Sequence, residues 1–106
     1  MTFLRYLLLT ALLLPLNVLA ADLLLTIKNH QFQPAELVVP SGMKIKLRID
    51  NQDSTPEEFD SYLLNREKVI AAHSSAIIFI GPLTPGRYPF TGEFHQATAQ
   101  GVIVAQ

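Results

Sequence analysis

Tyr88-Pro89-Phe90-Thr91-Gly92-Glu93-Phe94-His95-Gln96-Ala97-Thr98-Ala99-Gln100-Gly101 is the stretch on which the reading of this chain turns. A strand runs into it at Tyr88–Phe90 and another leaves it at Gly101–Ala105. Between them lies a short polar loop holding Glu93 and His95. Two side chains suited to a divalent metal thus stand on one loop between two strands, and loops held by a rigid scaffold are where β-proteins keep function. On these residues alone, a His95 that only caps a turn is the simpler account.

Working outward, the chain reads as short strands separated by turn signals. Gly81-Pro82-Leu83-Thr84-Pro85-Gly86 is a tight connection. Before it, Ser74–Ile80 carries a continuous apolar run at Ala76–Ile80, which predicts a central strand. Leu63–Ile70 fits either a strand or a short helical turn. Glu57–Tyr62 enters the sheet at Phe59, after a polar loop at Asn51–Pro56. Met43–Asp50 alternates: Lys44, Lys46, Arg48 and Asp50 face one way, Met43, Ile45, Leu47 and Ile49 the other. That period of two predicts a half-buried strand with a solvated basic face. Glu36–Val39 is a short strand closed by the turn Pro40-Ser41-Gly42. Leu23–Lys28 is the first strand, followed by a turn-rich connection, Asn29–Pro34, that holds His30 and Phe32. With no long helical period, internal repeat or low-complexity stretch, the pattern predicts an all-β sandwich.

Residues 1–20 read as a cleaved secretory signal peptide. Met1–Arg5 is a basic start, Tyr6–Leu14 an apolar run too short to span a bilayer, and Val18-Leu19-Ala20 a small-residue exit. The cut is expected after Ala20, with Ala21 as second choice, which leaves one mature domain at 21–106. The leader inflates the 49% hydrophobic content. A mature chain of this length closes one core and not two. It has no cysteine, so an exported domain must here be held by strand packing and not by disulfides. The same absence removes thiol catalysis, zinc–thiolate sites and the thiolate of blue copper. The formal net charge is −1, and no basic patch is mixed with aromatics, so nucleic acid is not the expected partner. Asp50, Asp53, Glu57, Glu58 and Asp60 gather the acids in one segment. No nucleophile–base pair and no glycine-rich phosphate cradle stands out, so no catalytic residue is assigned.

The order of signals resembles the cupredoxins over nearly the whole mature chain. The features are Phe32-Gln33-Pro34, Val39-Pro40-Ser41-Gly42, Asn51-Gln52-Asp53, Pro56-Glu57-Glu58-Phe59, Leu83-Thr84-Pro85-Gly86-Arg87-Tyr88-Pro89-Phe90, and Phe94-His95 with Gly101-Val102-Ile103-Val104. The resemblance implies a Greek-key β-sandwich with a metal site at one end, built from two loops. Carried over residue by residue, the family's first histidine falls on Glu57, its cysteine on Gly92 and its second histidine on His95. Ala97–Gln100 has no methionine for the axial position. Without the thiolate there is no blue copper centre. Glu57-Glu58-Phe59, Arg66-Glu67-Lys68, Ile80-Gly81-Pro82-Leu83 and Gly92-Glu93-Phe94-His95 are similar to a narrower subgroup, the periplasmic cupredoxin-like components of bacterial Ftr-type iron uptake systems. Such a protein is expected to act with a periplasmic iron-binding protein and a membrane permease.

If the fold is as the resemblance implies, the loop before Phe59 and the loop holding His95 meet. Glu57 and His95 are then the first expected metal ligands, with Glu93 and Glu58 next. Carboxylates with one imidazole suit Cu(II), Fe(II), Fe(III) or Mn(II), and not Cu(I). The expected function is a periplasmic metal-binding protein, for copper or iron, in iron uptake. A role in Fe(II) oxidation needs an electron acceptor that one mononuclear site does not supply. The alternative is a metal-free interaction module whose acidic Asp50–Asp60 segment docks a basic partner. A homodimer is a further expectation, since a site with so few ligands has room for a partner's. Met43 is expected in the core, at the end away from the site. His30 is read as a turn residue, a ligand only if the first loop folds over the site, and His73 as exposed.

Overall fold

A computed structural model describes residues 21–106, and the leader assigned to residues 1–20 lies outside the described residues. The strands are β1 (Ala21–Lys28), β2 (Gln31–Gln33), β3 (Glu36–Val39), β4 (Ile45–Asn51), β5 (Glu57–Ser61), β6 (Arg66–Ile70), β7 (Ser74–Ile80), β8 (Gly86–Gly92) and β9 (Gln100–Ala105), with a 3-10 turn at Glu93–His95. They form two sheets, ordered β2-β1-β4-β7 and β3-β9-β8-β5-β6. The chain crosses repeatedly from one sheet to the other, and β1–β4 and β3–β9 are parallel neighbours. The architecture is the expected all-β sandwich. Among the described residues, no helix is long and apolar enough to cross a membrane.

Alternation builds the core. In β4, Ile45, Leu47 and Ile49 are fully buried, while Lys46, Arg48 and Asp50 face outward. Leu25 and Ile27 of β1, Phe59 of β5, Phe90 of β8 and Ile103 of β9 close the space between the sheets. The joint at the site end is aromatic. Phe32 meets Phe90 edge-on, with ring centroids 4.8 Å apart at 84°. Phe59 stacks on Phe90 at 5.0 Å and 29°. Phe32 belongs to one sheet and the other two rings to the second, so this cluster locks the sheets together at the end where the loops carry His30, Glu57 and His95.

Four details differ from the sequence reading or sharpen it. Ser74–Ile80 is an edge strand of its sheet and not a central one, pairing with β4. Its apolar run is two interleaved faces: Ile78 and Ile80 are buried, whereas Ile77 is 43% and Phe79 46% exposed. The outer face is partly covered by long basic side chains. Lys44 Nζ lies 4.6 Å over the Phe79 ring, and Arg66 Nε donates to the Phe79 carbonyl at 2.9 Å. A guanidinium on an edge carbonyl blunts that edge against further strand pairing. The undecided segment Leu63–Ile70 resolves into a turn and then β6, with Asn65 at φ 52. The Asn29–Pro34 connection contains β2, which buries Phe32. Met43 is half-buried just before β4 and not a core residue, while His73 is exposed.

Candidate functional site

Glu57 opens β5, and the strand's period of two sends Glu57, Phe59 and Ser61 inward. Glu57 is 1% exposed. A buried carboxylate needs hydrogen bonds or a counter-charge. Oε1 accepts the backbone N–H of Glu58 at 3.0 Å and that of Phe94 at 2.9 Å. Oε2 lies 2.5 Å from His95 Nδ1. The two expected ligands therefore meet, far inside the separation of about 8 Å beyond which no single ion could be shared.

Gly92 makes the space. It sits opposite Phe59 across β5 and β8. A Cβ at Gly92 would lie 2.7 Å from Glu57 Cδ and 2.6 Å from Ala99 Cβ. The position matched to the family's cysteine is thus the one whose side-chain volume the Glu57 carboxylate occupies. A residue with a side chain at Gly92 and the inward carboxylate of Glu57 thus exclude one another. His95 ends the 3-10 turn, and its carbonyl accepts the Ala99 N–H at 2.8 Å, which folds the loop back onto β9. Its side chain is 25% exposed, so the pair has a buried carboxylate and a solvent-facing imidazole.

A third residue joins them. The His30 ring stacks on the His95 ring, centroids 3.6 Å apart and planes 12° from parallel. His30 sits in the β1–β2 turn, where Asn29 (φ 54) and His30 (φ 56) are both left-handed, the conformation a two-residue hairpin turn demands. Asp53 holds that turn: Oδ1 accepts the Asn29 N–H at 2.8 Å and Oδ2 the His30 N–H at 2.9 Å. Asp53 is itself placed by buried Asn51, whose Oδ1 accepts the Asp53 N–H at 3.0 Å and whose Nδ2 donates to the Thr55 carbonyl at 2.9 Å. Partial burial pushes the Asp53 carboxyl up. The two amide donors and the imidazoles of His30 and His95 outweigh it and hold the group below the ordinary aspartate value. The sequence reads His30 as a turn residue that approaches the site only if the first loop folds over it, and the stack on His95 shows that the loop does so. The available signal was an Asn-His turn followed, three connections later, by an aspartate able to bind its amides.

Glu58 and Glu93 take a different place. Alternation turns Glu58 to the face opposite Glu57, where it is half-buried, and Glu93 is exposed. On that face Asp60 stands directly across from Glu67. Partial desolvation, and then the carboxylates of Glu67, Asp60, Glu93 and Glu57, raise the Glu58 carboxyl above its ordinary value. Its folded pKa exceeds its unfolded one, so ionisation of Glu58 opposes folding. The penalty is absent below the unfolded value of about 4.5 and full above the folded one. Glu58→Gln is therefore expected to raise the melting temperature at pH 7. The gain should shrink toward pH 4 and in high salt, as thermal scans across pH and ionic strength will read. Among the described residues, no group of three or more His, Cys, Asp and Glu side chains is arranged to hold a metal ion.

Two facing sheets with a carboxylate–imidazole pair, one residue at the start of a strand and one in a 3-10 turn, define a class, the β-sandwich domains that carry a polar site at one rim. The chain belongs to the cupredoxin-like domain family, whose sequence profile matches residues 7–105. Its fold is similar to the metal binding domain of the Streptococcus pneumoniae D39 Cu(I) exporting P-type ATPase CopA, solved with Cu(I). That match has a TM-score of 0.71 and 13% identity, and covers 80% of this chain and 84% of that one. It is also similar to auracyanin A, a blue copper protein of Chloroflexus aurantiacus, with a TM-score of 0.69 and 11% identity over 83% of this chain and 100% of that one. At these identities the likeness is one of fold. An uncharacterized protein of Rickettsia prowazekii (strain Madrid E), RP394, is 50% identical over 80 residues, covering 76% of this chain. The aligned region spans 64% of that relative's length.

Proposed function

We propose that this is a periplasmic cupredoxin-fold protein that binds copper or iron at Glu57 and His95 and serves iron uptake. The observation that carries the reading is the buried Glu57 carboxylate 2.5 Å from His95 Nδ1, at the end of the sandwich where the resemblance puts the family's metal. The thiolate copper centre does not fit, because the chain has no cysteine and Glu57 fills the space beside Gly92. A borderline cation such as Cu(II) or Fe(II) does fit an ionised oxygen beside a ring nitrogen. Glu57 and His95 would hold it, and a metal held there supplies Lewis-acid or one-electron chemistry. Binding requires the imidazole nitrogen free of its proton, so uptake of the ion weakens as pH falls. Glu58 and Glu93 contribute negative charge on the adjoining face, which attracts a cation without ligating it.

The link to iron uptake is supported by the segments Glu57-Glu58-Phe59, Arg66-Glu67-Lys68 and Gly92-Glu93-Phe94-His95, and export by the leader-like residues 1–20. Its partners in this reading are a periplasmic iron-binding protein and a membrane permease. The test is calorimetric titration of the purified protein with Cu(II), and anaerobically with Fe(II), beside His95→Ala. The expected result is stoichiometric binding of at least one of the ions, lost in the variant. A second reading, a metal-free docking module, is favoured by one feature: Glu57 is satisfied entirely by protein groups. Absence of binding for both ions would select it.

A further inference from the structure

We infer that the outer face of the β2-β1-β4-β7 sheet is a docking surface for an anionic lipid bilayer. This surface is separate from the metal reading, since neither Glu57 nor His95 belongs to that sheet.

The sequence reads this face as a solvated basic row, and the register shows what stands between the bases. Asp22, Lys46 and Phe79 form one row across β1, β4 and β7, and Leu24, Arg48 and Ile77 form the next. Leu24, Ile77 and Phe79 are all large apolar side chains left exposed. Alternation puts them there, because Ile78 and Ile80 take the core side of β7 and Leu25 that of β1. Lys44 adds a third cation, its Nζ 4.6 Å over the Phe79 ring. Lys44, Lys46 and Arg48 thus stand among three apolar side chains, against one carboxylate, that of Asp22, 3.9 Å from Lys46. Asp50, one row further on, accepts the Ser75 hydroxyl at 3.0 Å.

Apolar side chains gathered on one open face mark an interaction site more often than those scattered singly. Two features select a bilayer as the partner. Between Leu24 and Ile77 lies a depression of about 310 Å³, with Lys46 and Arg48 at its sides. A phosphate and an acyl segment, the two parts of an anionic lipid, match its cationic and apolar walls. Lysine and arginine at a lipid surface lay their stems along apolar neighbours and keep the charge at the level of the phosphates. Charge is also divided across the sandwich. The outer face of the other sheet carries Glu58, Asp60 and Glu67. An anionic surface attracts one face and repels the other, which fixes the orientation of docking. A second copy fits less well, because a two-fold contact through this face sets Lys44, Lys46 and Arg48 against their own counterparts. The patch lies toward the start of β1 and β4, and the Glu57–His95 rim lies beyond their other ends, so docking leaves that rim uncovered.

The probe is vesicles of mixed phosphatidylglycerol and phosphatidylcholine, and of phosphatidylcholine alone, incubated with the purified protein at low salt and separated by flotation. Wild type should float with the anionic vesicles, stay behind with the neutral ones, and be released by high salt. Arg48→Glu should lower the partition about tenfold. Leu24→Ser should lower it at least about threefold, through lost apolar contact with lipid. Both positions are exposed, so melting temperatures should stay near that of wild type. Arg87→Glu makes the same charge change on the outer face of the other sheet, and should float nearly as wild type does. Equal losses in Arg48→Glu and Arg87→Glu would mean that net charge acts without a docking face, and overturn the inference. Wild type that stays behind with both kinds of vesicle overturns it as well. Sedimentation as a dimer that Leu24→Ser dissociates would then assign the face to a second copy, and sedimentation as a monomer would leave it to an acidic protein.

Discussion

Phe59→Ala lowers the free energy of unfolding by about 3–5 kcal/mol, the range for a fully buried phenylalanine lost from a packed core. Phe59 is 0% exposed and stacks on Phe90 at 5.0 Å. It also meets Phe32, from the opposite sheet, at 6.2 Å and 82°. Truncation removes ring burial and leaves a cavity that three strands in two sheets cannot close together. Urea unfolding will read the loss as a lower midpoint with an unchanged slope, since the surface exposed on unfolding hardly changes. A loss under about 1 kcal/mol would mean that the sheets are held elsewhere, because such values belong to sites that repack freely.

Glu57→Ala is the second large effect, a loss of about 3 kcal/mol. Leaving a hydrogen-bond donor without its acceptor costs about 1–3 kcal/mol. The imidazole adds little to that, because the His95 side chain is 25% exposed and water can reach it. The substitution strips the acceptor from the Glu58 and Phe94 amides. It also opens the volume facing Gly92. Glu57→Gln should recover a good part of the loss, since its amide oxygen still accepts those two N–H groups. His95→Ala should cost less than Glu57→Ala, because Glu57 then keeps both backbone donors. If Glu57→Ala and wild type unfold alike, Glu57 is a solvated rim residue and not the anchor of the loop.

The same contrast between local and remote contacts explains what could be read from the sequence. Met43–Asp50 displayed its two faces through alternation, and the buried set Ile45, Leu47 and Ile49 follows from it. The edge position of β7 was hidden. An apolar run states that residues can be buried, and only the placing of β7 at the sheet edge, with alternation turning Ile77 and Phe79 to the outer face, decides that they are not. The meeting of Glu57 and His95 was reachable through the resemblance, which put both positions on loops at one end. Alternation could also have separated Glu58 from Glu57, since neighbours in a strand face opposite ways. The His30 stack was out of reach because two segments create it. Left-handed backbone at Asn29 and His30 aims the turn, and Asp53, held by buried Asn51, pins it.

The central proposal is that the buried Glu57–His95 pair is the metal-holding group of this chain. The most direct test is calorimetric titration of Cu(II) into wild type, Glu57→Gln and Glu93→Gln under one set of conditions. Stoichiometric binding in wild type and Glu93→Gln, lost in Glu57→Gln, is the predicted result. Binding that survives in Glu57→Gln and disappears in Glu93→Gln would place the ion on the exposed loop and contradict the account.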